Sequence, residues 1–170
     1  MNKELNYEDI VKKVEAMKKG KNLDLSTEED LAIAVMNLIS LEEHFFFTGS
    51  KTDKPEYFDM LQEIRSIRTK LLAKMIDKTE GETWCISKHL LATSMRLIEV
   101  GTKLQSDGKK DEAGESFKMA YEMFNMFFAL RLKILHVCEP EDDENKNKPM
   151  TMNDIMKKLV DCCDENQKEK

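Results

Sequence analysis

The sequence Glu42-Glu43-His44 closes an apolar stretch in which Leu31, Val35, Leu38 and Phe45 mark one face of a helix, and Glu42 falls on that face. A carboxylate in such a place needs a partner or shifts its pKa. Partners are available. Arg65 and Arg68 border the apolar side of a later segment, His89, Arg96 and Glu99 share a side of the next, and Arg131 interrupts an apolar run beyond it. Several arginines around one carboxylate could hold an anion or small ligand inside a helical core. They could equally close an internal Glu–Arg–His network that fixes helix register, or lay their stems on apolar surface and keep their heads wet.

Cys85 and His89 stand four apart, a spacing that brings a thiolate and an imidazole to one side of a helix. With Glu42 or His44 they could complete a tetrahedral metal site. The plainer reading is a small buried cysteine beside a hydrogen-bonded histidine. As a nucleophile and base the pair lacks a third group and an oxyanion hole. A carboxylate-bridged diiron bundle needs Glu-x-x-His pairs, but Leu41 and Ile86 stand three residues before His44 and His89. The vicinal Cys162-Cys163, with Cys138, could bind a metal or sense redox state, but fits a short terminal helix as well. No metal and no cofactor are expected.

A different signal points to association. Phe45, Phe46 and Phe47 span about 200° of a helix, so they cannot all face one core. At least one should meet a terminal segment, a second subunit or another protein. The twelve methionines add adaptable apolar surface, although methionine at helical spacing is more often core filler.

Six helical segments must position these groups. The first runs from about 7 to 18, with Tyr7, Ile10, Val11, Val14 and Met17 as its stripe. The second opens on a capping box, Ser26 with Glu29, and runs to a stop at Gly49. The third begins at Asp53-Lys54-Pro55-Glu56 and continues to about 77; the fourth runs from about 79–83 to 106, where Asp107-Gly108 marks a turn. The fifth, about 109 to 137, contains Phe117–His136, which holds four of the eight phenylalanines and reads as a central helix covered by several neighbours. Residues 139–149 carry five acids, two lysines, two prolines and no apolar side chain, a linker composition. A short amphipathic segment, about 152 to 163, follows with Ile155, Met156 and Leu159, and the last residues read as a polar tail.

Composition agrees. One domain is the default for 170 residues. Charged residues make up 35%, with only 6 glycines and 3 prolines, which favours helices over sheets. No β-branched alternation is visible. The net charge of −6 is interspersed, and Lys18-Lys19-Gly20-Lys21 is the longest basic run, so nucleic acid and anionic membranes are poor partners. The polar N-terminus has no signal-peptide core, and no run reads as apolar enough to span a bilayer. Four cysteines without scaffold spacing suit reduced thiols, hence a cytoplasmic location.

Two partial resemblances stand beside these readings. Gly101, Leu104, Gly108, Ala113, Phe117 and Ala120 follow a small/large/small pattern, and the stretch 97–120 resembles a single tetratricopeptide (TPR) motif. Leu97 stands where that family often has Trp, Asn125 replaces its closing Pro, and no second copy follows. The resemblance implies an interaction role, while a tight helical hairpin would converge on the same packing. Arg131 and His136 form an Arg-x4-His pair and so resemble the motif of HEPN-type nucleases, which are also all-helical. An offset of five residues turns about 140°, placing the two on different faces of a regular helix.

The expectation is therefore an all-α fold: an antiparallel bundle of four long helices plus short N- and C-terminal helices. Residues 1–138 form the bundle domain, 139–149 the acidic linker, and 150–170 a short helix and tail. The expected function is non-catalytic protein interaction or scaffolding, with self-association as a homodimer through Phe45, Phe46 and Phe47. The alternatives are an anion-, small-ligand- or metal-binding bundle using Glu42, Arg65, Arg68, His89, Arg96 and Arg131, and a HEPN-like ribonuclease.

Overall fold

The computed structural model describes residues 25–135, together with 11, 12, 15 and 16. The fold is all-helical, and no strand occurs among the described residues. Four helices follow in order: α1 Ser26–Thr52, α2 Glu56–Leu72, α3 Gly81–Ser106 and α4 Lys110–Arg131. Residues 11, 12, 15 and 16, within the first expected helix, are also helical. The acidic stretch 139–149, the segment 152–163, Cys138, Cys162, Cys163 and His136 lie outside the described residues.

The helices pack as two hairpins, α1 on α2 and α3 on α4, joined through a contact between α1 and α3. In the second hairpin Ser94 Oγ donates to the Ala120 carbonyl at 2.8 Å, and Ser116 Oγ donates to the Leu97 carbonyl at 2.9 Å. One position advances as the other retreats, so α3 and α4 run antiparallel. In sequence, Ser87, Ser94 and Gly101 recur every seventh residue, as do Ala113, Ala120 and Phe127. All six are buried, and their opposed order sets small residue against small residue along most of the seam. Close backbone approach follows from that pattern. A Cβ on Gly101 would lie 2.5 Å from the Phe117 ring, so glycine is required there for space.

The first hairpin closes differently. Phe45 of α1 sits 6.3 Å from Tyr57 of α2, ring centre to ring centre, and Glu42 meets Arg68. Gly49, expected to stop the second helix, lies buried inside α1, where a Cβ would come within 3.0 Å of the Phe58 ring. The helix instead ends at Asp53, which takes a left-handed conformation with φ 53° and donates its N–H to the Gly49 carbonyl. Similarly, α2 ends at Leu72 rather than near 77. Backbone turns then bring Met75 and Ile76 into the core, and Asp77 Oδ1 accepts from the Thr79 N–H and hydroxyl at 2.9 and 2.8 Å. At the second connection Gly108 has φ 77°, as the Asp107-Gly108 pair predicts.

The core gathers Ala32, Val35 and Met36 of α1, Leu72, Met75 and Ile76, Trp84, Leu90 and Leu91 of α3, and Phe127 and Leu130 of α4. It lies where α1 and α3 begin and α4 ends. Glu28 of α1 pairs with Arg131 of α4, and further along Glu43 pairs with Arg96 of α3. Since α4 runs opposite to α3, these two links make α1 and α3 run in the same direction. The expected central helix, α4, is not central among the described helices. Among the described helices α4 packs chiefly on α3, and its Met119, Tyr121 and Met126 remain exposed. Its apolar circumference exceeds what one neighbour covers.

One further expectation changes. α1 is long and apolar enough to cross a bilayer by length and composition. It also carries Glu42 against Arg68 of α2 and contributes Ala32, Val35 and Met36 to the core.

Candidate functional site: paired arginines and an open helix face

The sequence-predicted polar residues do not converge on one pocket. Four of the six, Glu42, Arg68, Arg96 and Arg131, enter three ion pairs at different levels of the fold. Arg68 is 1% exposed, and its Nε and Nη2 donate to the two Glu42 carboxylate oxygens at 2.8 and 3.3 Å. This fork-to-fork geometry satisfies both charges at once. The expected inward carboxylate of α1 has therefore found an arginine of α2, and the pair ties the first hairpin together.

Arg96 is exposed. It bridges Glu43 across the α1–α3 groove and Glu99 one turn along its own helix. Arg131 Nη2 donates to Glu28 Oε1 at 2.7 Å, a part-buried pair that fastens the end of α4 to the start of α1. The Arg131 Nε and Glu28 Oε2 are buried and make no hydrogen bond among the described residues. Arg65 is half-buried on α2. His89, expected in the core cluster, is exposed, because α3 turns Cys85, Leu90 and Leu91 inward instead. Cys85 is buried as a free thiol. Among the described residues no group of three His, Cys, Asp or Glu side chains is placed to hold a metal ion.

Between α1 and α3 lies a cleft of about 230 Å³ lined by Met36, Ile39, Ser40 and Glu43 on one side and Ala92, Thr93, Met95 and Arg96 on the other. Its lining sets the apolar Met36, Ile39, Ala92 and Met95 beside the Glu43–Arg96 pair. It is smaller than the usual drug-sized site, which starts near roughly 300 Å³.

The three phenylalanines separate, as their angular spread predicts. Phe45 is half-buried against Tyr57 and so belongs to the α1–α2 contact rather than to a free surface. Phe46 and Phe47 are 50% and 49% exposed, and their rings meet edge to face at 5.3 Å. Ile98 of α3 is also exposed. The seam of Ser87 and Ser94 was missed in the sequence, although the seven-residue spacing of small residues up to Gly101 carries it. Ser87 is fully buried, and its hydroxyl makes no hydrogen bond among the described residues.

No family model matches this chain, and neither curated proteins nor solved structures yield a significant match.

Proposed function

We propose that this protein is a non-catalytic helical interaction or scaffold protein that associates with itself. The observation supporting this reading is the exposure of Phe46 and Phe47 at the end of α1, together with Met119, Tyr121 and Met126 on α4. Scattered apolar side chains are ordinary on a surface. Two adjacent phenylalanines, each half exposed beside an apolar cleft, form a patch of the kind that marks contact sites. The finer architecture belongs to the same reading: an antiparallel bundle completed by short helices at both termini. So does the TPR-like character of 97–120, where Gly101, Ala113, Phe117 and Ala120 build a close hairpin. A cytoplasmic location suits the reduced Cys85.

The ligand-binding alternative has less support. Arg68, Arg96 and Arg131 each already face a carboxylate of this chain. An anion would have to displace one of them. The nuclease alternative needs His136 beside Arg131, and Arg131 is engaged with Glu28.

Static light scattering of the full chain over a concentration series tests the proposal. Mass should rise towards that of a dimer. A mass that stays monomeric up to millimolar protein overturns it.

A further inference from the structure

On α1, Ser40 and Glu43 stand about one turn apart, and on α3 so do Thr93 and Arg96. All four line the cleft between the two helices. Because α1 and α3 run in parallel with Glu43 paired to Arg96, the same offset sets Ser40 level with Thr93 and Ile39 level with Ala92. Met36, Ile39, Ala92 and Met95 give the cleft its apolar wall; Met36 is buried and the other three are half-buried.

The polar groups of the cleft select a ligand by two features. The first is free hydroxyls. Thr52, Thr102 and Ser106 each donate to the carbonyl four residues before, and Ser94 and Ser116 donate across the α3–α4 seam. Ser40 and Thr93 do neither, and their hydroxyls make no hydrogen bond among the described residues. The second is charge. The Arg96 guanidinium already holds two carboxylates, Glu43 and Glu99, so the group carries one negative charge in excess. Lys103, one turn beyond Glu99, makes no ion pair with it among the described residues. Lys51 and Lys88 lie roughly 12 Å along the helices from the Glu43–Arg96 pair, beyond a Debye length of about 8 Å.

The pairing that turns an anion away therefore suits a cation. A bare metal ion is not served, since no group of three His, Cys, Asp or Glu side chains is placed to hold one among the described residues. An ammonium group donates three hydrogen bonds and accepts none. The cleft offers it a carboxylate and two hydroxyl oxygens, and the apolar wall calls for an alkyl chain behind it. At roughly 30 Å³ for each water-sized group, the 230 Å³ cleft holds about seven or eight non-hydrogen atoms. We propose that this cleft binds a small primary alkylammonium ion, with its chain between Met36, Ile39, Ala92 and Met95 and its ammonium at Glu43 beside Ser40 and Thr93.

The inference goes beyond the self-association reading and does not rest on it. Hexylamine, charged at neutral pH, is the probe. Titrated into the full chain labelled at its methionine methyls, it should shift the Met36 and Met95 signals saturably, with a Kd of about 1 mM. The methyls of Met119 and Met126, on the exposed side of α4, should not move. Hexan-1-ol and hexanoate carry the same chain without the positive charge, and should bind at least tenfold more weakly. Glu43→Gln should weaken hexylamine about tenfold with thermal unfolding unchanged, because the pair it breaks is solvent-screened. Arg96→Gln should keep or tighten binding, since it frees both carboxylates, and Ala92→Leu should abolish it by filling the cleft. The proposal is overturned by hexan-1-ol or hexanoate binding as tightly as the amine, or by loss of amine binding in Arg96→Gln. Equal shifts at Met119 and Met126, or no saturable shift at Met36 and Met95, overturn it too. Light scattering on the same samples separates the two readings: saturable amine binding by a strict monomer leaves the cleft standing and ends self-association.

Discussion

The two hairpins solve the same packing problem by opposite means. In α3–α4 the helices approach over small residues, with Ser94 against Ala120 and Gly101 beneath the Phe117 ring, and the Ser94 and Ser116 hydroxyls bond across to backbone carbonyls. In α1–α2 the contact is made by large side chains: the Glu42–Arg68 fork, Phe45 on Tyr57 and Phe58 over Gly49. The first arrangement draws on close packing of backbones, and the second on a buried charge pair that must be complete. A small-residue seam tolerates the loss of an atom but not the gain of one. A charge pair is the reverse, since removing one partner strands the other.

The largest effect should therefore come from breaking the fork. Arg68→Ala leaves the part-buried Glu42 without this cation and should destabilise the fold by up to about 3–5 kcal/mol in urea unfolding. The double change Glu42→Leu/Arg68→Met should recover most of that loss, because well-packed apolar residues of similar volume replace buried ion pairs at little cost. If the double variant is as unstable as the single one, the pair contributes more than mutual neutralisation, and the contrast between the hairpins needs revision.

Adding an atom to the seam ranks next. Gly101→Ala should cost about 1–2 kcal/mol, since overpacking of about 1–3 kcal/mol exceeds the roughly 1 kcal/mol that alanine gains in helix propensity. Phe117→Ala in the same chain should relieve the clash, which a double-mutant cycle would read as a favourable coupling. The two buried serines sharpen the comparison further. Ser94→Ala loses the bond to the Ala120 carbonyl and should cost about 1 kcal/mol. Ser87→Ala removes a hydroxyl that has no partner among the described residues, so thermal unfolding should show no loss, or a small gain. Equal costs at both positions would contradict the hydrogen-bond assignment.

The smallest effects belong to exposed charges. Arg96→Ala should change stability by less than about 1 kcal/mol, despite its two carboxylate contacts, because solvent screens the pairs. Asp77 holds its carboxyl below the ordinary range, chiefly because the Thr79 backbone N–H and then its hydroxyl donate to it. A depressed pKa stabilises the fold above the unfolded-state value and loses that contribution as pH falls through the folded-state one. Acid titration should thus show Asp77 protonating below the ordinary aspartate range, and Thr79→Val should raise its midpoint.

Much of the architecture was legible because helix signals are local. Apolar spacing located all four helices, and Asp107-Gly108 located the turn between α3 and α4. Glu42 stood out as a carboxylate on an apolar face, and Arg68 was among its named partners. What the sequence could not supply was pairing at a distance. Whether Arg96 met Glu42 or Glu43 depends on one residue, a turn of about 100°. His89 looked inward by its company but lies on the exposed side of α3. Gly49 read as a stop because a glycine can end a helix or admit a ring, and only the neighbour Phe58 distinguishes the two. The Phe117–His136 stretch read as central because its composition is apolar, yet composition cannot state how many neighbours cover a helix.

The account rests on the claim that the end of α1 is a contact surface. Sedimentation equilibrium of the full chain beside a Phe46→Ser/Phe47→Ser variant tests this most directly. The account predicts a concentration-dependent dimer for the natural sequence and a monomer of unchanged thermal stability for the variant. A variant that associates as strongly as the natural chain, or a natural chain that stays monomeric throughout, would contradict it.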